Sequence, residues 1–458
     1  MNTDVAIVGM ACQFPGAPDL DTFWDNVVSK VDAVTDAPAD WDGQGEQGAA
    51  GRIYCKRGGF LGGLTFDPIK FGVMPNAVDG TDPDHLVGLS VAAAALADAD
   101  YLEREEKRGT TEIIVGRATF MNRANVSALH HCLVVDDVIE LLNEFGGGVD
   151  ARQREDLRRK LLARLPPFTA ETAIGLIPNV LTGRIANRFD MAGPNYTIDA
   201  ACASSLVATQ LAMRDLVTRR CDLALAGGAN VTAASTLYMV FCQLNALSRR
   251  GSIRPFDRDA DGTVLGEGFG MLVLKRREDA ERDGDRIYAV IKAIGVSSDG
   301  HTTTVLSPSP DGEELAMRRA YKEAAIDPAT VDLIEAHGTA TPVGDAVEIE
   351  AMTRVFGVRG SDGPCAMGSV KSMIGHLLPA AGIAGLIKTA LALFHKVLPP
   401  TLHCENPHPS LQRRDAPFLL NAQTLPWIHG RSTPRRAGVN AFGFGGINAH
   451  AILEEAAE

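Results

Sequence analysis

Residues 196–206 have the sequence Tyr196-Thr197-Ile198-Asp199-Ala200-Ala201-Cys202-Ala203-Ser204-Ser205-Leu206. Its first three residues favour a strand, and the residues after Ser204 are typical of a long apolar helix. Small side chains around Cys202 permit a sharp strand-to-helix turn. A thiol there meets the positive end of the helix dipole, so we expect a lowered pKa for Cys202 and thiolate near neutral pH. Taken alone, such a cysteine is more often a structural residue than a catalytic one.

Short apolar segments that predict buried strands alternate with helical segments along the chain. The predicted strands are Asp4–Met10, Glu112–Val115, Leu223–Ala226, Gly270–Leu274, Ala289–Ala293, Leu333–Glu335 and Ala451–Leu453. The predicted helices include Leu86–Ala99, Ser204–Arg219, Glu313–Ala325 and Ala380–Phe394. This alternation predicts an α/β class with a largely buried sheet. No long Ser, Gly or Pro linker divides the chain, so we expect one compact unit over residues 1–458.

Composition excludes several classes of partner. The 458 residues are 45% apolar and 22% charged, and the net charge of −13 argues against a nucleic-acid binder or a protein of anionic membranes. No apolar run is seen to approach the roughly 18 residues of a membrane span, and no secretory leader is recognised. We therefore expect a cytoplasmic protein without a membrane association. We expect no metal site, because none of the eight cysteines has zinc-ligand spacing.

Two histidines lie in Gly-flanked turns of the second half. They belong to Glu335-Ala336-His337-Gly338-Thr339-Ala340-Thr341-Pro342 and to Gly368-Ser369-Val370-Lys371-Ser372-Met373-Ile374-Gly375-His376. A neutral imidazole that donates Nε2–H can stabilise a thioester enolate, and Lys371 is placed to hold an imidazole in that tautomer. Ser/His/Asp hydrolysis is the second chemistry to consider, but no G-x-S-x-G motif is present.

Four motifs occur in the order typical of one enzyme family. The stretch around Cys202, the two histidine stretches, and Asn440-Ala441-Phe442-Gly443-Phe444-Gly445-Gly446 resemble the four signatures of β-ketoacyl-acyl-carrier-protein synthases. The opening residues 9–16, Gly-Met-Ala-Cys-Gln-Phe-Pro-Gly, resemble ketosynthase domains of type I polyketide synthases. Two other stretches more closely resemble the sequences of polyunsaturated-fatty-acid and enediyne synthases. They are residues 52–60 and the Ala-Cys-Ala-Ser-Ser form of the motif around Cys202.

The resemblance implies a fold and a set of site residues. The fold is the thiolase fold, an α/β structure of two related halves in a five-layer αβαβα sandwich, with halves of about 1–283 and 284–458. The implied catalytic residues are Cys202, His337, His376 and Lys371. Glu348 is implied to form, with Lys371, the network that orients the catalytic groups. The backbone N–H groups of Cys202 and Phe444 are implied as the oxyanion hole. The resemblance also implies that Thr339 and Thr341 bind the pantetheine arm. The residues that it implies for the acyl pocket are Phe241, Phe444, Leu176 and Ile177.

The implied activity is decarboxylative condensation. Cys202 takes an acyl chain from a carrier protein, and malonyl-carrier protein then supplies the carbanion that gives a β-ketoacyl thioester. The partners implied are an acyl carrier protein, a second copy of the chain in a homodimer, and an acyltransferase domain of the same synthase. No cofactor is expected to be bound, because the carrier protein supplies the phosphopantetheine arm. A non-catalytic scaffold that docks carrier proteins is the alternative, and both a free-standing enzyme and one domain of a larger synthase fit the sequence.

Overall fold

The computed structural model describes residues 4–39, 41, 53–63, 65–102, 110–118, 123–145, 150–359, 363–430 and 432–456. The strands are β1 Val5–Gln13, β2 Thr35–Asp36, β3 Arg57–Gly58, β4 Thr111–Arg117, β5 Asn195–Ile198, β6 Leu223–Asn230, β7 Gly268–Arg276, β8 Ala289–Ser298, β9 Leu333–Glu335, β10 Cys365–Gly368, β11 Val397–Leu398, β12 Phe418–Leu420, β13 Leu425–Pro426, β14 Arg436–Gly443 and β15 Ile447–Glu454. The helices are α1 Leu20–Val28, α2 Pro83–Asp98, α3 Arg123–Leu129, α4 Val135–Phe145, α5 Ala151–Leu162, α6 Ala170–Ile174, α7 Val180–Arg188, α8 Ser204–Val217, α9 Ser235–Gln243, α10 Arg277–Asp283, α11 Pro310–Ala324, α12 Pro342–Phe356, α13 Lys371–Ile374 and α14 Ala381–His395. All seven predicted strands are confirmed to within a few residues at their ends.

In the described part of the chain, eleven strands form one mixed sheet. Their order is β12-β10-β9-β14-β15-β8-β1-β7-β6-β4-β5. Read outward from its middle, the sheet contains the same arrangement twice, because β1-β7-β6-β4-β5 matches β8-β15-β14-β9-β10. The two arrangements meet where β1 and β8 pair antiparallel over three residues, from Val5 opposite Ile291 to Ile7 opposite Ala289.

The two halves of the sheet form two layers of the structure, and helices form the other three. Helices α8 and α14 contact each other between the two halves of the sheet. Leu206 and Leu216 of α8 share one buried cluster with Ile383 and Leu386 of α14. Helices α2 and α7 cover the outer face of the first half, and α11 and α12 contact each other on the outer face of the second. This is the five-layer αβαβα arrangement that the sequence resemblance implies.

Local sequence accounts for where the main helices begin. Pro83 and Pro310 occupy the first turns of α2 and α11, where a missing N–H costs nothing. Asp82 caps α2 by accepting the N–H of Asp84, and Ser309 caps α11 by accepting that of Gly312. The helix starts are therefore specified locally.

Helix α14 confirms the predicted helix Ala380–Phe394 and belongs to a slightly longer apolar stretch. Leu378–His395 spans 18 residues with a mean hydropathy of 1.4, which is long and apolar enough to cross a membrane by length and composition. The expectation that no apolar run approaches the length of a membrane span is therefore wrong. In the structure 89% of the stretch is buried inside the protein, as expected for a helix with sheets on both sides.

Candidate active site

Cys202 lies in the sharp turn between β5 and α8. Ala201, directly before it, has a φ of +48°, which is unusual for a residue with a side chain. Asp199 accepts the N–H of Ala201 at 3.0 Å, and the Ser204 hydroxyl donates to the carbonyl of Ala201 at 2.6 Å. The same hydroxyl oxygen accepts the N–H of Ala200 at 2.8 Å. Side chains within the motif therefore hold the backbone in the strained turn that presents the thiol.

A cavity of about 340 Å³ contains the predicted catalytic groups. Of the predicted residues, those that line it are Cys202, His337, His376, Glu348, Thr339, Thr341, Phe241 and Phe444. Lys371 is buried behind this lining. Leu176 and Ile177 do not line the cavity. These two residues are 37% and 52% exposed on the outer surface of the single chain. Their assignment to the acyl pocket stays a prediction, which requires a second chain to cover them.

Burial controls the protonation of Cys202. It raises the pKa of the thiol to about 11, although the charge of Lys371 and two backbone N–H groups act in the opposite direction. The helix-dipole effect is worth only about 0.3–1 kcal/mol, whereas full burial can shift a pKa by several units. The prediction of a lowered pKa is therefore wrong, and the resting group is the neutral thiol.

Two backbone N–H groups lie close enough to the thiol of Cys202 to lower its pKa. They belong to Cys202 itself and to Phe444, in the turn between β14 and β15. This approach needs glycine at position 443, since a Cβ there would lie 2.7 Å from the carbonyl oxygen of Ala200 and 3.2 Å from the nitrogen of Cys202. The ring of Phe444 stacks on Phe241, with centroids 6.0 Å apart. Donors in this arrangement can stabilise negative charge that develops beside the sulfur.

Lys371 fixes the tautomer of His337. Its ammonium lies 3.4 Å from Nδ1 of His337 and donates to the carbonyl oxygen of the same residue at 2.5 Å. An ammonium only donates, so Nδ1 accepts and the imidazole proton is on Nε2. Burial and the nearby charge of Lys371 hold the pKa of His337 well below its usual value. His337 is therefore a neutral Nε2–H donor.

A backbone N–H fixes the tautomer of His376 in the same way that Lys371 fixes that of His337. Nδ1 of His376 accepts the N–H of Leu378 at 3.2 Å, in a turn where Leu378 has a φ of +51°. Burial keeps the pKa of His376 well below its usual value. The rings of His337 and His376 are nearly perpendicular, with centroids 5.5 Å apart. Two neutral imidazoles thus present Nε2–H to one cavity.

Glu348 holds the backbone beneath His337. Its two oxygens accept the N–H of His337 at 2.7 Å and that of Gly338 at 2.8 Å. The side-chain amide of Asn440 donates to the same carboxylate at 2.8 Å. Burial raises the pKa of Glu348, and these hydrogen bonds oppose the rise. The hydrogen bonds of Lys371 go to His337, so Glu348 and Lys371 are linked through that residue.

Sequence reasoning missed a buried ion pair next to the site. Glu335 accepts an ion-paired hydrogen bond from Lys388 at 2.6 Å, and its other oxygen accepts the N–H of Val370 at 2.7 Å. Both side chains are almost fully buried. The available signal was a lysine in the otherwise apolar helix α14, since a buried lysine requires an anionic partner.

Comparison with known proteins identifies the family. Residues 2–280 match the family described as "Beta-ketoacyl synthase, N-terminal domain", and residues 288–405 match "Beta-ketoacyl synthase, C-terminal domain". The chain belongs to the β-ketoacyl synthase family. Its fold and its cysteine and histidine motifs are those that the resemblance implies.

Individual β-ketoacyl synthase relatives are large proteins. The chain is 37% identical over 475 residues to a polyunsaturated fatty acid synthase protein of Thraustochytrium sp., covering 100% of this chain and 16% of that protein. It is 35% identical over 469 residues to "Polyketide synthase PksN" of Bacillus subtilis, covering 98% of this chain and 8% of that protein. The chain therefore spans less than a fifth of the length of either relative.

Solved ketosynthase structures match the whole fold. The ketosynthase from module 6 of the bacillaene synthase of Bacillus subtilis superimposes with a TM-score of 0.84 at 33% identity, covering 99% of this chain and 72% of that one. A structure titled "PfaC Keto synthase-Chain length factor" gives a TM-score of 0.86 at 32% identity, covering 99% of this chain and 48% of that one. The chain is a type I polyketide-synthase-like ketosynthase, a condensing acyltransferase, and none of these findings favours the non-catalytic scaffold.

Proposed function

We propose that this ketosynthase loads an acyl group onto Cys202 and condenses it with a malonyl thioester to form a β-ketoacyl thioester. The observation that carries the proposal is the composition of one cavity. Cys202, with two backbone N–H donors at its sulfur, shares that cavity with His337 and His376, each of which has Nδ1 already occupied. A nucleophile with an oxyanion hole and a pair of Nε2–H donors suits acyl transfer followed by enolate formation.

In the first step the sulfur of Cys202 attacks the carbonyl carbon of the incoming thioester. The new C–S bond forms as the pantetheine sulfur leaves, and the thiol proton of Cys202 ends on the departing thiol. The N–H groups of Cys202 and Phe444 stabilise the tetrahedral oxyanion. The charge of Lys371 favours the thiolate at the moment of attack, because it lowers the otherwise raised pKa of Cys202.

In the second step the bound malonyl thioester loses carbon dioxide. The C–C bond to the carboxylate breaks, and its electron pair moves onto the thioester as an enolate. Nε2–H of His337 and of His376 donate to the enolate oxygen. The carbanion carbon then attacks the acyl group on Cys202, whose sulfur leaves as thiolate and takes a proton from solvent water.

The substrates are proposed to arrive on a carrier protein. Thr339 and Thr341 line the cavity with hydroxyl oxygens 3.1 Å apart, and we assign them to the pantetheine arm. Phe241 and Phe444 are assigned to the acyl pocket. The carrier protein supplies the phosphopantetheine, and an acyltransferase domain of the same synthase supplies the malonyl group. We place this chemistry in the cytoplasm, in agreement with the net charge of −13.

A boundary between the halves near residues 283 and 284 is also part of the proposal. It falls between α10 and β8, where the first copy of the repeated strand order ends. Cys202 then comes from the first half, while His337, His376 and Lys371 come from the second. The reaction would therefore require both halves in one fold.

A second copy of the chain is the proposed partner for the outer surface beside β5. This strand is an edge of the large sheet. Helix α7 contacts this strand, and residues 124–145 and 150–181, which lead into α7, expose large apolar side chains. Among them are Leu133, Leu141, Phe145 and Ile177. An exposed sheet edge next to an apolar face of this extent is typical of an interface. We propose a two-fold homodimer that covers both.

Intact-protein mass spectrometry tests the function. The protein is incubated with acetyl-pantetheine and, separately, with malonyl-pantetheine. We expect one acetyl adduct on the peptide that contains Cys202, and conversion of malonyl-pantetheine to acetyl-pantetheine with release of carbon dioxide. Cys132→Ser, which removes an exposed thiol, is the control and should change neither result. Absence of both reactions in the wild type would favour the scaffold.

A further inference from the structure

Glu313 is a buried carboxyl group in the active-site cavity that the mechanism above does not use. It lies in the first turn of α11 and is 2% exposed. It lines the same cavity as Cys202, His337 and His376. Its Oε2 is buried and has no hydrogen-bond partner among the described residues. A buried polar atom without a partner is rare, and in a substrate cavity it indicates a ligand.

The surroundings of Glu313 are acidic. Glu348, Asp299 and Asp345 act on it electrostatically, and Glu348 is the residue that holds the backbone of His337. Burial and these like charges raise the pKa of Glu313 well above its usual value. Its place in the first turn of a helix favours the anion by only about 0.3–1 kcal/mol, which is too little to reverse the effect of burial. Glu313 is therefore a neutral acid with one O–H to donate.

His337 and His376 are assigned to the enolate oxygen, so a substrate carboxylate in the cavity needs another donor. Among the residues that the structure describes, none that lines it is a lysine or an arginine. Both oxygens of a carboxylate only accept hydrogen bonds, and a protonated acid beside a carboxylate donates its O–H in a short, charge-assisted bond. Two carboxyl groups with a single proton between them form a stable pair, whereas two carboxylates repel each other.

We propose that Glu313, as the neutral acid, donates a hydrogen bond to the carboxylate of the malonyl extender unit and selects a carboxylated extender over an uncarboxylated thioester. This inference rests on the proposed function. The proton stays on Glu313 throughout. When the C–C bond breaks, the electron pair moves to the thioester oxygen beside His337 and His376, and carbon dioxide leaves uncharged. Glu313 thus binds the extender, and it does not stabilise the enolate.

Kinetics of two substitutions test this role. In Glu313→Gln the amide keeps a donor of similar size, and we expect the KM for malonyl-pantetheine to stay within about threefold of wild type. In Glu313→Leu the donor is lost, and we expect that KM to rise about tenfold or more, as for a hydrogen bond to a charged group. The rate of Cys202 acetylation, whose substrate has no carboxylate, should be unchanged in both variants.

Glu314→Gln is the matched control, because Glu314 is the next residue of the same turn and pairs with Arg318 outside the cavity. It should behave as wild type in both assays. An unchanged KM in Glu313→Leu, or an equal rise in Glu313→Gln, would overturn the proposal. A parallel fall in acetylation would also overturn it, since it would show a structural role. Failure of the wild-type protein to acetylate or decarboxylate is a different result and would overturn the proposed function itself.

Discussion

The ammonium of Lys371 contacts His337 twice, at Nδ1 of the ring and at the carbonyl oxygen of the backbone. The lysine thereby determines both the position of the loop and the nitrogen that carries the imidazole proton. It has no place in the cavity lining, so its influence on substrate passes through the histidine and through its charge.

Lys371→Met should impair decarboxylation because His337 is then free to place its proton on Nδ1. We expect the kcat for malonyl-pantetheine decarboxylation to fall by about tenfold to a hundredfold, as for other residues that orient a reacting group. The KM should change little, because Lys371 does not line the cavity. The rate of carbon dioxide release measures kcat. A folded variant with the wild-type kcat would contradict the role of Lys371 in fixing the tautomer of His337.

Cys202→Ala should separate the two half-reactions. Acyl transfer to the protein should be abolished, because it requires the thiol as nucleophile. Decarboxylation of malonyl-pantetheine should remain measurable, since His337 and His376 are intact. Mass spectrometry of the peptide spanning residue 202 checks the first result. An acyl adduct that persists on this peptide would show that another residue is the nucleophile.

The reactivity of Cys202 should keep rising with pH. The thiol has a raised pKa of about 11, so its thiolate fraction grows about tenfold per pH unit from pH 7 to about 9.5. We expect the rate of iodoacetamide alkylation at Cys202 to follow this slope without a plateau. A short cysteine peptide with blocked ends, whose thiol has the ordinary pKa of about 8.5, is the control and should level off within the range. A plateau for Cys202 below pH 9 would contradict the effect of burial.

Gly443→Ala should weaken the oxyanion hole. The added Cβ would meet the carbonyl oxygen of Ala200 and displace the N–H of Phe444 from the sulfur of Cys202. Loss of one such donor lowers rates by about 10²–10³, so we expect acetylation of Cys202 to slow by at least about a hundredfold. Gly430→Ala is the control, because a Cβ at position 430 would point into open space. Equal acetylation rates in the two variants would exclude a role for this turn.

The homodimer should be stable at micromolar concentration. Light scattering should give the mass of two chains, because a biological interface buries more than about 1,000 Å². Leu133→Asp and Ile177→Asp place charges among the exposed apolar residues of 124–145 and 150–181 and should shift the mass toward one chain. Val358→Asp, an exposed apolar residue after α12, is the control. A wild-type mass of one chain would refute the interface.

Local patterns predicted the parts of this structure that depend on neighbouring residues. The alternation of short apolar strands with helices gave the α/β class, and small residues around Cys202 gave the strained turn. The protonation of Cys202 escaped prediction because the turn at Phe444, far away in sequence, closes over the thiol and removes it from water. The assignment of Leu176 and Ile177 to the acyl pocket stays a prediction for a related reason, since apolar character alone does not distinguish a cavity wall from an outer face.

Long-range pairing was also hidden from the sequence. Glu335 and Lys388 are 53 residues apart, and only the fold shows that they neutralise each other. Glu313 belongs to an ordinary capped helix start, and nothing in its local sequence shows that α11 directs it into the cavity with Cys202. Both cases concern charged side chains whose burial is decided by the packing of separate layers.

The burial of Leu378–His395 between the two halves of the large sheet has a consequence for biosynthesis. Strands β14 and β15, which help to cover α14, follow it in chain order. A nascent chain that has completed α14 but not yet residues 436–454 therefore exposes a segment with the hydropathy of a membrane span. The turn at Phe444 lies between these two strands, so the oxyanion hole is completed only when this period of exposure ends.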